Sequence, residues 1–166
     1  MMKRIPELLL IAATLSVAIV AQPLLAQISE PGTKHPLALR AVPVALDSLL
    51  ATLPEGPIVL LEGWAPRGIG MGPTLPADVG RRIARARGIE PRNYSDVCPP
   101  CLVEGVSALI WISSPSDAAG GLVAVDFAVY LAGPEQQWVN HYGVRYLLEM
   151  TRAGARVARI ERVFGS

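Results

Sequence analysis

From Val106 onward, apolar and polar residues alternate in four runs: Val106–Ser113, Leu122–Ala132, Trp138–Met150 and Ala155–Phe164. Stretches rich in Gly, Pro, Ser and Asp separate them, which predicts an antiparallel meander. Earlier in the chain the period changes. Val44, Leu46, Leu49, Leu50 and Leu53 recur at helical spacing between Pro43 and Pro54, predicting a short amphipathic helix over 43–53. Ile58 to Trp64 is apolar on both faces except for Glu62, and predicts a short strand. A loop with Gly68, Gly70 and Gly72 leads to a second helix from about Pro76 to Arg87. Val79, Ile83 and Ala86 form its narrow apolar stripe, and Gly88 can end it. The expected fold is α+β: two short helices packed on one face of a curved, mainly antiparallel sheet that ends in a four-stranded meander.

The faces fix a register, because a slip by one residue turns every side chain over. Bringing the apolar faces of 122–132 and 138–150 together pairs Val129 with Tyr142, Phe127 with Val144, Val125 with Tyr146 and Val123 with Leu148. The same register sets Asp126 opposite Arg145 and Tyr130 opposite His141 on the other face. Pairing Tyr146 with Ile160 and Leu148 with Ala158 continues the apolar face into the last strand, through a loop of Thr151 to Ala155. Glu161 then falls opposite Arg145, so that Asp126, Arg145 and Glu161 form a row across three strands, with Arg162 landing beside Val144. On the other side, Ile110 opposite Val125 and Ala108 opposite Phe127 carry the core into the first strand of the meander.

The closing strands, Trp138-Val-Asn-His-Tyr-Gly-Val-Arg-Tyr-Leu-Leu-Glu and Ala155-Arg-Val-Ala-Arg-Ile-Glu-Arg-Val-Phe, resemble the end of the nuclear-transport-factor-like (cystatin-like) α+β superfamily. The likeness covers about the last third of the chain and rests on pattern. The chain departs from that superfamily in having no long first helix, and in Ala155 where an aromatic often opens the last strand. Members include small-molecule enzymes, ligand-binding pockets and association domains, so the resemblance implies a fold and leaves the activity open.

The beginning of the chain adds a location. Lys3 and Arg4 precede an apolar run from Leu8 to Ala21, which Gln22 and Pro23 interrupt. The run is shorter than the roughly 20 residues a spanning helix needs. It predicts a signal peptide over 1–26, with an uncleaved N-terminal anchor as the alternative, and export to a bacterial periplasm or beyond. A flexible tether over 27–36 and a single domain over 37–166 follow. No integral membrane span is expected once the signal is removed. Of 15 basic and 14 acidic residues, Lys3, Arg4 and Glu7 lie in that first segment, so the remainder carries 13 of each sign. A balanced domain gives no electrostatic reason to expect nucleic acid as a partner.

Candidate chemistry is sparse. Cys98-Pro99-Pro100-Cys101 resembles the active-site turn of thiol oxidoreductases, which need the first Cys at a helix N-terminus to expose a thiolate. Here the residues after Cys101 read as strand, no aromatic precedes Cys98, and no parallel βαβ pattern surrounds it, so a structural disulfide between Cys98 and Cys101 is the expectation. Zinc needs further ligands, and the two histidines, His35 and His141, lie far apart in the chain. No metal and no cofactor are expected. Gly68-Ile-Gly70-Met-Gly72 misses the dinucleotide fingerprint at its third glycine, and Pro73 and Pro76 sit where a phosphate-binding helix would donate N–H groups. Arg81, Arg82, Arg85 and Arg87 read as a solvated helix face. The possible polar site is the outer face of the sheet, with Asp126, Tyr130, His141, Arg145 and Glu161. A general acid–base dyad of Asp126 with His141 is imaginable, but in this register the two are neither opposite nor adjacent. Trp111, Leu109, Leu122, Leu147 and Val163 make the same face apolar enough for a homodimer interface. No catalytic residues are assigned. The sequence therefore predicts an exported binding or association module without catalysis, against alternatives of a thiol-disulfide oxidoreductase and a small-molecule pocket protein.

Overall fold

The computed structural model describes residues 38–63, 71–97, 105–133 and 138–165. A single 3-10 turn, Ala38–Arg40, opens directly into helix α1, Ala41–Leu50. The helix starts two residues before Pro43. That proline lies in the first turn, where the N–H it lacks would have no intrahelical partner. The expected end at Leu53 unwinds into a tighter turn: Thr52 and Leu53 donate their N–H groups to Leu49 and Leu50, and the Thr52 hydroxyl also donates to Leu49 at 2.7 Å. Strand β1 is Ile58–Glu62, and helix α2 is Ala77–Arg85. Gly88 ends α2 at φ 69°, and the N–H of Ile89 reaches back to the carbonyl of Ala84 at 3.0 Å.

After α2 come β2 (Glu90–Asn93), a four-residue helix α3 (Tyr94–Val97), β3 (Ala108–Ile112), β4 (Ser116–Ala118), β5 (Leu122–Ala132), β6 (Trp138–Thr151) and β7 (Gly154–Gly165). They form one mixed, mainly antiparallel sheet in the order β2-β1-β3-β5-β6-β7, with β4 added beside β5. β1 runs parallel to both β2 and β3. A parallel β1-α2-β2 unit therefore precedes Cys98, which corrects the expectation that no parallel βαβ pattern surrounds it. Glu90-Pro91-Arg92-Asn93 carries no apolar alternation because it is a short outer strand, where a proline costs no ladder bond.

Between β5 and β6 the observed register is the expected one, including Asp126 opposite Arg145 and Tyr130 opposite His141. Between β6 and β7, Tyr146 opposite Ile160 and Arg145 opposite Glu161 also stand, but Leu148 faces Val157 and not Ala158. The hairpin turns on Arg152 and Ala153 alone, with Gly154 at φ 148°, and a bulge at Ala158 absorbs the extra residue. A second bulge falls at Val163. Between β3 and β5 the ladder slides by four residues: Ile110 faces Val129 and Ala108 faces Leu131. The cause is β4, which occupies Leu122–Ala124 of β5 after a turn through Gly120 and Gly121 at φ 75° and 73°. A slide by an even number leaves every side chain on its intended face.

One face of the sheet carries the main core. Leu60, Ile110, Ile112, Val125, Phe127, Val129, Tyr146 and Leu148 pack there under α1 and α2. Phe127 and Tyr146 meet edge to face, with centroids 5.5 Å apart at 86°. The other face holds a smaller cluster of Val59, Leu61, Val106 and Leu109, with Tyr94 of α3 against it. β6 carries a glycine where β7 carries an aromatic: a Cβ on Gly143 would lie 2.1 Å from the Phe164 ring. Gly143→Ala should therefore lower stability by about 1–3 kcal/mol through overpacking, measured by urea unfolding. Truncating the ring as well, in a Gly143→Ala, Phe164→Ala double variant, should remove the steric part of that loss.

Candidate functional site

Alternation along β5 sends Ala124, Asp126, Ala128 and Tyr130 to the face opposite the helices, and β6 sends His141, Gly143, Arg145 and Leu147 to the same side. Asp126 is 1 % exposed. Its carboxylate accepts Nε of Arg145 at 2.7 Å on one oxygen, and Nη2 at 3.0 Å and the Gly72 N–H at 2.8 Å on the other. The Ser113 hydroxyl accepts the Asp126 N–H at 2.8 Å, and the Ser113 N–H donates to the Asp126 carbonyl at 2.9 Å. These donors satisfy both oxygens of the buried carboxylate. The hydrogen bonds that Arg145 donates to Asp126, with the charge of that carboxylate, raise the guanidinium above its ordinary range, and Glu161 adds to the same field.

The row of Asp126, Arg145 and Glu161 exists in register. Its third member is bonded differently from the first two: the ion pair of Glu161 is with Arg159, at 2.6 Å on its own strand. Above the row lies a groove of about 440 Å³, walled by Met71, Ser116, Asp117, Arg145, Arg159 and Glu161. Asp117 stands exposed on the wall and joins none of the ion pairs formed among the described residues.

Tyr130 and His141 form a separate ledge. Their rings stack at 5.8 Å and 17°, and Phe164 lies 6.0 Å beyond His141. Burial raises the Tyr130 phenol, with the neighbouring Tyr94 adding to it. Asp126 and His141 do not meet: each faces another partner, four residues apart on the ladder, or about 13 Å at the rise of a strand. As the register implied, Asp126 and His141 assemble no dyad for acid–base work. Leu109, Trp111 and Leu147, whose apolar character suggested a dimer interface, are buried within the chain at 0, 1 and 4 % exposure.

A second polar feature closes β1. Glu62, 8 % exposed, receives Arg81 of α2 through three hydrogen bonds of 2.7, 2.9 and 2.7 Å. Arg82 pairs with Asp78 at 3.8 Å within the helix, and Arg87 binds Asp47 of α1. Arg81, Arg82 and Arg85 are exposed, as a solvated face requires. The lone acid in an apolar strand is the signal that marks Glu62. Its partner is set by the way α2 crosses β1, which periodicity does not contain.

Cys98 and Cys101 lie outside the described residues, as do Gly68 and Gly70 of the glycine loop. Among the described residues no group of three or more His, Cys, Asp and Glu is placed to hold a metal ion. No described helix is long and apolar enough to cross a membrane. Comparison with protein-family models, with curated proteins and with solved structures found no match for the chain.

Proposed function

We propose that the chain is an exported, non-catalytic binding domain whose ligand surface is the groove on the outer face of the sheet. The observation that carries this reading is the commitment of the charges beneath it. Asp126 is saturated by three donors and Arg159 is paired with Glu161, so these charges serve to fix the shape of a cleft. The volume suits a small molecule. Asp117 gives the cleft a carboxylate for the cationic end of a polar ligand. Export rests on Lys3, Arg4 and the apolar run after them, and the proposed location is the periplasm or the medium. The nuclear-transport-factor-like kinship belongs to the same proposal, supported by α1 lying across β5, β6 and β7 of the meander. A homodimer through this face is the less favoured use of it, since its largest apolar side chains are already covered. Nucleic acid has no broad positive field to meet.

Amide chemical-shift titration with lysine, putrescine and succinate tests the reading. Saturable shifts at Gly72, Asp117 and Ala118 with the two cationic compounds, and none with succinate, are expected, and a Cys98→Ser, Cys101→Ser variant should bind alike. The reading is overturned by shifts that avoid the groove, or by loss of binding in the serine variant, which would favour thiol chemistry.

A further inference from the structure

The three parallel strands create a second place for a ligand, on the other side of the Met71–Leu75 segment. β1 lies between β2 and β3. α2 leaves β1 and packs over the helix-covered face on its way to β2. The connection from β2 to β3 places Tyr94 and Val106 against the opposite face. The described parts of the connections from β1 to β2 and from β2 to β3 thus lie against opposite faces of the sheet. Open sheets with parallel strands commonly hold their ligands at the carboxyl ends of those strands.

A cavity of about 170 Å³ lies in that position, between the ends of β1 and β3 and the first turns of α2. Leu60, Leu75, Ala77, Gly80 and Ile112 make it largely apolar, with Thr74 and the Arg81-bound Glu62 at its polar side. An apolar cavity of about 150 Å³ is enough to take up benzene or xenon.

Gly80 sharpens the picture. Glycine is a poor helix former beside alanine, and Gly80 sits inside α2, away from both ends. Backbone conformation does not demand it, because its φ is not among the positive ones. Packing does not demand it either: a Cβ there would meet Leu60 Cδ2 at 3.4 Å and Leu75 Cδ2 at 3.8 Å, which are ordinary contacts. What the absent methyl leaves is room in the cavity.

We propose that this cavity is a binding site for a small apolar group of about benzene size, and that Gly80 keeps it open. The site is independent of the outer groove, and the two can fail separately. The test compares wild type with Gly80→Ala, using benzene followed by amide shifts and xenon followed by its own resonance. Wild type should show saturable shifts centred on Leu60, Leu75 and Gly80. Gly80→Ala should bind both probes at least tenfold more weakly while melting about 3–5 °C higher, as a better helix former should. Ala77→Leu, which fills the same space from another wall, should also abolish the shifts. No saturable binding in wild type, or equal binding in Gly80→Ala, overturns the proposal. A Gly80→Ala protein that melts lower than wild type overturns it too, since packing alone would then explain the glycine.

Discussion

Replacing Arg145 with alanine is expected to cost about 3–5 kcal/mol of folding stability, although the side chain is partly exposed and lies far from the main core. The reason is the group it leaves behind. Asp126 is 1 % exposed and would keep only the Gly72 N–H among the donors that now bind its carboxylate oxygens. A buried carboxylate without its cation carries most of its desolvation cost uncompensated. Arg145→Lys should fall between wild type and alanine, because an ammonium keeps the charge but cannot reproduce the two-pronged contact at 2.7 and 3.0 Å. Removing both charges, in an Asp126→Asn, Arg145→Met double variant, should recover most of the loss, since Asn still offers an oxygen to Gly72. Urea midpoints with an unchanged slope would measure all three. A single Arg145→Ala loss below about 1 kcal/mol would show that water reaches Asp126 and that the pair is an ordinary surface one.

The second large effect is expected on the opposite face. Phe127→Ala should cost about 3–5 kcal/mol, from lost transfer energy and the cavity left behind. Phe127 is fully buried beneath α1, and Tyr146 stands edge-on to its ring. Tyr146 is itself buried in the same core, so it has little freedom to fill the gap. Phe127→Leu, which retains most of the volume, should stay within about 1.5 kcal/mol of wild type. Residues 126 and 127 are neighbours in the chain but point to opposite sides of the sheet. The Phe127→Ala and Arg145→Ala losses should therefore add, apart from about 0.5 kcal/mol. Together they approach the whole stability of a domain this size, so the combined variant should be largely unfolded at room temperature.

How far the fold could be read in the sequence differs strand by strand, for physical reasons. β5 and β6 alternate strictly because each has one face under helices and one face outward. Their register was legible down to Asp126 and Arg145. β1 and β3 show where they are but not their direction, since a strand buried on both faces has no pattern that tells parallel from antiparallel. β2 and β4 are four and three residues long, too short for any period, and their pairing comes from the crossover through α2 and from the turn at Gly120–Gly121. The slide of β3 along β5 follows from β4, so one unseen element displaced a whole ladder by four residues. At the site, the charged pair was visible because both members lie on regular strands. The Gly72 N–H on Asp126 was not, because a loop reaches the sheet only through the tertiary fold.

β7 has a bearing on how this protein keeps company with copies of itself. It ends the sheet, and twelve residues of regular backbone on an outer strand would ordinarily invite another chain to add itself and start a fibre. The bulges at Ala158 and Val163 break that template into short pieces, and each bends the strand away from a flat ladder. Arg156, Arg159 and Arg162 add exposed positive charge to the first two pieces, Arg156 and Arg159 in ion pairs with Glu149 and Glu161. The safeguard is in part electrostatic, so its reach shrinks as ionic strength rises. In concentrated salt, resistance to edge-to-edge association should therefore rest on the kinks in this strand more than on its charges.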